Sequence, residues 1–126
     1  MKLNILIVDD SETTRRIIRA IVHSHEWTIC GEANSGVEGI AKFKELLPDL
    51  VLIDLAMPDI NGIETAKQMS MINSKVPLIL FTILDVDGLQ KRAREAGIAA
   101  IVSKAQAWDL VKVIENTVAS LPRAIQ

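Results

Sequence analysis

Three aspartates, a threonine and a lysine in this sequence each stand at or just past the end of a short apolar run. ILIVDD at 5–10 ends in Asp9 and Asp10, VLID at 51–54 in Asp54, LILFT at 78–82 in Thr82, and IVSK at 101–104 in Ser103 and Lys104. Open parallel sheets bind ligands at the carboxyl ends of their strands, so neighbouring strands would bring these groups to one rim. Three carboxylates there repel one another unless some are protonated or a cation sits among them. Oxygen donors with no histidine or cysteine nearby favour Mg²⁺, or Mn²⁺, over zinc. A carboxylate nucleophile with an ammonium and a hydroxyl opposite has the parts for phosphoryl transfer. Asp54 is the candidate nucleophile, because Asp9 and Asp10 lie together where they can hold the metal.

Taken singly, each residue has a plainer explanation. Asp10 or Ser11 is a helix cap, Asp54 a turn residue before Pro58, Thr82 the close of a strand and Lys104 a solvated charge. The convergence is what favours chemistry. Other residues keep their plain readings: His23 and His25 as solvated groups near a helix end, Trp108 as a packing residue at the start of the last helix, Cys30 as a small hydrophobe in a strand.

The elements that must position the rim follow from periodicity. Short β-rich runs alternate about five times with amphipathic stretches, the signature of a doubly wound parallel sheet in the α/β class. Leu3–Val8, Leu50–Ile53, Leu78–Phe81 and the shorter Ala99–Val102 are near-continuously apolar, as strands buried on both faces are. Trp27–Ala33 is more polar, as nearer an edge. Ile17, Ile18, Ile21 and Val22 form the packing face of the first helix, with Arg15, Arg16 and Arg19 on the other. Ser35 and Glu38 form a capping box opening a helix through Leu47, stopped by Pro48. Asp87 with Gln90 marks another helix start and Gly97 its left-handed stop. Val111, Ile114, Val118 and Leu121 form the last helical stripe.

Size and charge narrow the function. A chain of 126 residues, 49% hydrophobic, is expected to form one domain with a core spanning about 3–121. A net charge of -2 with 24% charged residues offers no basic field for nucleic acid. No apolar run reaches bilayer length and no signal-peptide pattern opens the chain, so a soluble cytoplasmic protein is expected.

The segments ILIVDD at 5–10, VLIDLAMPDINGIE at 51–64, LILFT at 78–82 and the Ser103–Lys104 pair closely resemble the response-regulator receivers of two-component signalling, over essentially the whole chain. The resemblance implies a flavodoxin-like (βα)5 fold with strand order 2-1-3-4-5. It makes Asp54 the phosphoacceptor, Asp9 and Asp10 the metal acids and the Ala56 carbonyl a further ligand, with Thr82 and Lys104 on phosphoryl oxygens. The donor is then a phosphohistidine of a sensor kinase or phosphotransfer protein. The output is a face of helix four, strand five and helix five, read by an output protein or domain or by a phosphorylation-dependent dimer. The arginine face of helix one is, by the same resemblance, a kinase-docking surface; a solvated face explains it equally.

Four departures carry expectations of their own. Ile101 stands where the family usually has an aromatic switch residue. Ala105 replaces a proline that often follows a cis bond, so a trans link is expected. Ile83 replaces a small residue and is expected to restrict access. Ala56 and Leu84 stand at positions that tune water access to the acyl phosphate; neither is polar, so slow self-dephosphorylation is expected. Three other readings stay open. A metal-dependent aspartyl phosphatase wants an Asp-x-Asp pair and a cap domain. A flavin or nucleotide module wants a phosphate loop and aromatic rings, against 3% aromatics here. A phosphorylation-independent interaction module fits the departures. Either a stand-alone protein or a longer regulator with a linker near Pro122 is compatible with the sequence.

Overall fold

The computed structural model describes residues 2–83 and 88–121. Along the chain run β1 (Leu3–Val8), α1 (Glu12–His23), β2 (Trp27–Ala33), α2 (Gly36–Leu46), β3 (Leu50–Ile53), α3 (Gly62–Ile72), β4 (Leu78–Thr82), α4 (Leu89–Glu95), β5 (Ile98–Ser103) and α5 (Leu110–Ala119). A 3-10 segment, Lys104–Asp109, leads into α5. Leu84, Asp87 and Pro122 lie outside the described residues, so the helix start at Asp87, the access role of Leu84 and the linker at Pro122 are not addressed by the fold.

All strand pairs are parallel, in the order β2-β1-β3-β4-β5. The continuous apolar runs are explained by two cores, one on each face of the sheet. Leu6, Val8, Val51, Ile53, Leu78 and Leu80 pack under α2, α3 and α4 with Phe43, Ala66, Met69 and Ala93. Ile5, Ile7, Leu50, Leu52, Ile79 and Phe81 pack with Ile18, Val22, Leu110 and Ile114 of α1 and α5. Alternate residues of one strand thus enter opposite cores, each full burial contributing about 1.5–3 kcal/mol. β2, at one edge, is only half-buried, as its polar sequence implies. Cys30 there packs against the first core, and burial pushes its thiol up.

A register shift between Leu78 and Ile79 against β5 leaves Ala99 without a partner of its own, which turns Ile101 into the first core and Val102 into the second. The helix stops fall where the sequence puts them. Ser35 Oγ accepts from Glu38 N, while Glu38 Oε1 accepts from Asn34 N, one residue before the usual partner. Gly97, at φ 93°, ends α4.

Three helical readings need correction. Ile17 is exposed rather than packed; the buried face of α1 is Thr14, Ile18 and Val22, because a 3.6-residue period carries position 17 past the edge of the contact stripe. In α5 the stripe runs through Leu110 and Ile114, flanked by Val113 and Val118, so Ile114 and Val118 pack as expected while Val111 and Leu121 fall outside both cores. Trp108 precedes α5 in the 3-10 segment and is 74% exposed, so it is not a packing residue. No helix among the described residues is long and apolar enough to cross a membrane.

Candidate functional site

Asp9 and Asp54 end adjacent strands and are held there by extensions of the sheet ladder: Asp9 N donates to Ala33 O and Asp54 N to Val8 O, both at 2.9 Å. Both side chains are buried, whereas Asp10 is exposed. Asp9 Oδ1 accepts from Ser11 N at 2.8 Å, and Ser11 Oγ accepts from Thr14 N at 3.2 Å. Ser11, not Asp10, therefore caps α1, leaving the Asp10 carboxylate available.

Lys104 crosses from the end of β5 to both buried acids. Its Nζ lies 2.9 Å from Asp9 Oδ2 and 3.5 Å from Asp54 Oδ2. The first is a good charge-assisted hydrogen bond and the second is long for one, since such bonds run at about 2.7–2.9 Å. Asp54 Oδ1 is buried without a hydrogen-bond partner. Burial first, then the Asp9 charge, pushes the Asp54 carboxyl above its ordinary value, with Lys104 opposing. One oxygen from each of Asp9, Asp10 and Asp54 lies within 4.8 Å of the others. A hard divalent cation fits this donor set, because it supplies the positive charge that an orphaned, buried carboxylate oxygen lacks.

The other residues of the rim fall into place to different degrees. Thr82 is fully buried at the end of β4 and pairs in register with Ser103, the residue before Lys104. Ser103 Oγ accepts from Ala105 N, and no peptide bond among the described residues is cis, so the link after Lys104 is trans as expected. Ala56 is exposed on the loop two residues past Asp54. Ile101 is half-buried against the α2–α4 core. Ile83 is 71% exposed, so its side chain stands mostly in solvent beyond Thr82.

Some contributions to the site were not apparent in the sequence. The arginine face of α1 is divided: Arg15 donates to the backbone carbonyl of Asp9 and pairs with Glu12 and Glu32, Arg19 bridges the same two glutamates, and Arg16 is exposed. Gly62 is required by a close approach, because a Cβ there would lie 2.3 Å from the Asp54 carbonyl oxygen. Asn61 Oδ1 accepts from Glu64 N and caps α3 beside it. The Asn-Gly pair before an amphipathic stretch is a legible helix start; its proximity to Asp54 is not. Asp59, in the same loop, accepts from two backbone N–H groups of α2.

Known proteins resemble this chain in sequence and fold. The family model described as response regulator receiver domain matches residues 5–115. A chemotaxis protein CheY of Thermotoga maritima is 32% identical over 104 residues, covering 82% of this chain and 87% of that protein. A protein-glutamate methylesterase/protein-glutamine glutaminase of Trichodesmium erythraeum is 40% identical over 88 residues, covering 69% of this chain but only 25% of that protein. Among solved structures, the CheX-CheY-BeF3-Mg²⁺ complex of Borrelia burgdorferi contains a chain matching with a TM-score of 0.84 and 26% identity, over 95% of this chain and 90% of that one. Neither the phosphatase nor the phosphorylation-independent alternative is favoured by these likenesses. With its sheet order and the family model agreeing over most of its length, the chain belongs to the response regulator receiver domain family.

Proposed function

We propose that residues 1–126 act as one phosphoacceptor unit in which Asp54 receives a phosphoryl group from a phosphohistidine of a sensor kinase or phosphotransfer protein. The observation that carries this reading is the Asp54 carboxylate, buried, with Oδ1 unpartnered and Oδ2 near Lys104. Asp9, Asp10, Asp54 and the Ala56 carbonyl would hold Mg²⁺, or Mn²⁺, which when bound neutralises charge on the phosphoryl oxygens. The presence of Mg²⁺ and BeF3 in the Borrelia CheX-CheY complex supports that assignment by analogy.

In the transfer, a carboxylate oxygen of Asp54 forms a bond to phosphorus as the phosphorus–nitrogen bond of the donor breaks. The electron pair returns to the imidazole nitrogen, which takes up a proton from solvent. Lys104 shifts its ammonium from Asp9 toward the new dianion, and the Thr82 hydroxyl donates to it. These two contacts favour the conformation in which both reach the phosphoryl group, a population shift that alters the α4–β5–α5 face. Exposed Trp108, at the entry to α5, belongs to the surface offered to an output protein, an output domain or a second phosphorylated copy. With apolar Ala56 beside the site, the acyl phosphate is slow to hydrolyse; a lifetime of seconds in Mg²⁺ would count against that.

The experiment is incubation with acetyl phosphate and Mg²⁺, read by intact mass. Wild type should gain one phosphoryl group that hydroxylamine and base remove, as an acyl phosphate requires, and Asp54→Ala none. Equal labelling of both proteins, or no labelling of wild type by acetyl phosphate or any phosphohistidine donor, would overturn the reading.

A further inference from the structure

We propose that Asp59 is a positioning residue for the acceptor site, pinning the loop that carries Ala56 to the N-terminus of α2. The inference rests on the metal and acceptor reading given above.

Asp59 Oδ1 accepts from Gly36 N at 3.0 Å and Oδ2 from Val37 N at 2.8 Å. Neighbouring donors have local partners: Glu38 N donates to Ser35 Oγ, Gly39 N to Ser35 O and Asn34 N to Glu38 Oε1. Ser35 thus caps one amide of the first turn, and two more are capped by a carboxylate more than twenty positions further along the chain. Two charge-assisted bonds to adjacent amides fix the carboxylate in direction as well as distance. Asp59 itself is exposed, but the backbone it holds is closely packed: a Cβ on Gly36 would meet Ile60 Cγ1 and Thr65 Oγ1 at 2.4 Å.

That contact matters to the site because of what lies on either side. From Asp54 to Asn61 no helix or strand holds the backbone. The far end is tied by Gly62 N donating to Leu55 O at 2.8 Å, with Gly62 lodged against the Asp54 carbonyl. Leu55 and Met57 sink into the core below, which sets the depth of the loop while Ala56 stays exposed. Asp59 supplies the lateral fix. It joins the loop to α2, whose preceding strand β2 is bonded through Ala33 O to Asp9 N. Thus a path of hydrogen bonds through β2, the start of α2 and the Asp59 carboxylate connects the acid pair of β1 with the loop after Asp54.

The test compares wild type with Asp59→Ala and Asp59→Asn, using Asp49→Ala as control. Asp49 Oδ2 accepts from Asn4 N at 2.8 Å at the opposite end of the sheet, a similar carboxylate-to-backbone contact remote from the site. Mg²⁺ affinity is measured by calorimetry and backbone amide exchange is followed without metal. Asp59→Ala should bind Mg²⁺ on the order of ten-fold more weakly, the scale for residues that orient metal ligands. Its Gly62 amide should exchange faster in the metal-free protein. Asp59→Asn, keeping one acceptor oxygen, should fall between, and Asp49→Ala should lose stability with unchanged affinity. Affinity of Asp59→Ala within about two-fold of wild type, or no weaker than that of Asp49→Ala, overturns the inference. If Asp59→Ala does not fold, wild-type affinity and exchange in Asp59→Asn overturn it equally. A wild type that binds no Mg²⁺ defeats the metal reading instead, and the exchange comparison then decides the role of Asp59.

Discussion

Replacing Asp54 by asparagine should make the metal-free protein more stable, because the structure holds a carboxylate where its charge is poorly compensated. The Asp9 and Asp54 oxygens lie within 4.8 Å, a repulsion of about 3.5 kcal/mol or more at an effective dielectric of about 20. Lys104 Nζ at 3.5 Å from Asp54 Oδ2 returns about 4.7 kcal/mol on the same scale. Exposed Asp10 is screened by water and adds about 1 kcal/mol of repulsion. The charges nearly cancel, so burial decides the sign. An unsatisfied buried oxygen such as Asp54 Oδ1 costs about 1–3 kcal/mol. Asparagine removes the charge, offers its amide N–H₂ to Asp9 and keeps an oxygen for Lys104.

The expected gain is therefore about 2 kcal/mol, or a rise of about 0.7–2 M in the urea midpoint at pH 7 in EDTA. A pH series carries an independent sign. Because the folded Asp54 carboxyl titrates above its unfolded value, the native state holds more protons between the two. Wild-type stability should fall as pH rises through that window, from about 4 upward, and Asp54→Asn should lack this component. Mg²⁺ should then stabilise wild type and leave the variant nearly unchanged. An Asp54→Asn protein equal to or less stable than wild type in EDTA would refute the reasoning, since it would mean that Lys104 outweighs burial.

Other substitutions test separate parts of the site. Lys104→Ala should cost about 3 kcal/mol in urea unfolding without metal, because Asp9 loses its cation while remaining buried, and should abolish acetyl phosphate labelling. Gly62→Ala must displace the Asp54 backbone; labelling should drop at least about ten-fold while circular dichroism stays native. Ser11→Ala should lower stability by about 1 kcal/mol, seen as a few degrees in Tm, through loss of the α1 cap. Trp108→Ala should change stability by less than about 0.5 kcal/mol, in keeping with its exposure, yet reduce binding to whatever reads the α4–β5–α5 face.

The strands and most helix ends were legible because their signals are local. A strand buried on both faces needs an unbroken apolar run, and Leu3–Val8 and Leu50–Ile53 have one. Ser35, Pro48 and Gly97 act through their own backbone neighbours, so they mark the same boundaries in the chain and in the fold. The convergence of Asp9, Asp10, Asp54 and Lys104 was legible for a related reason: strand ends fall on one rim whatever the side chains do. What tertiary structure alone decided is how each group is used. Ser11 and Asp10 are adjacent with equal claims to cap α1, and only the position of Asp9 sends one to the helix and leaves the other exposed. Ile17 and Ile18 are chemically identical, and the angle at which α1 meets the sheet buries one of them. Arg15 is legible only as part of a charged helix face, and nothing in the sequence singles out Asp59 or Gly62. Their roles lie in contacts with Asp9, α2 and Asp54, between segments that meet only when the sheet has formed, so no local pattern encodes them.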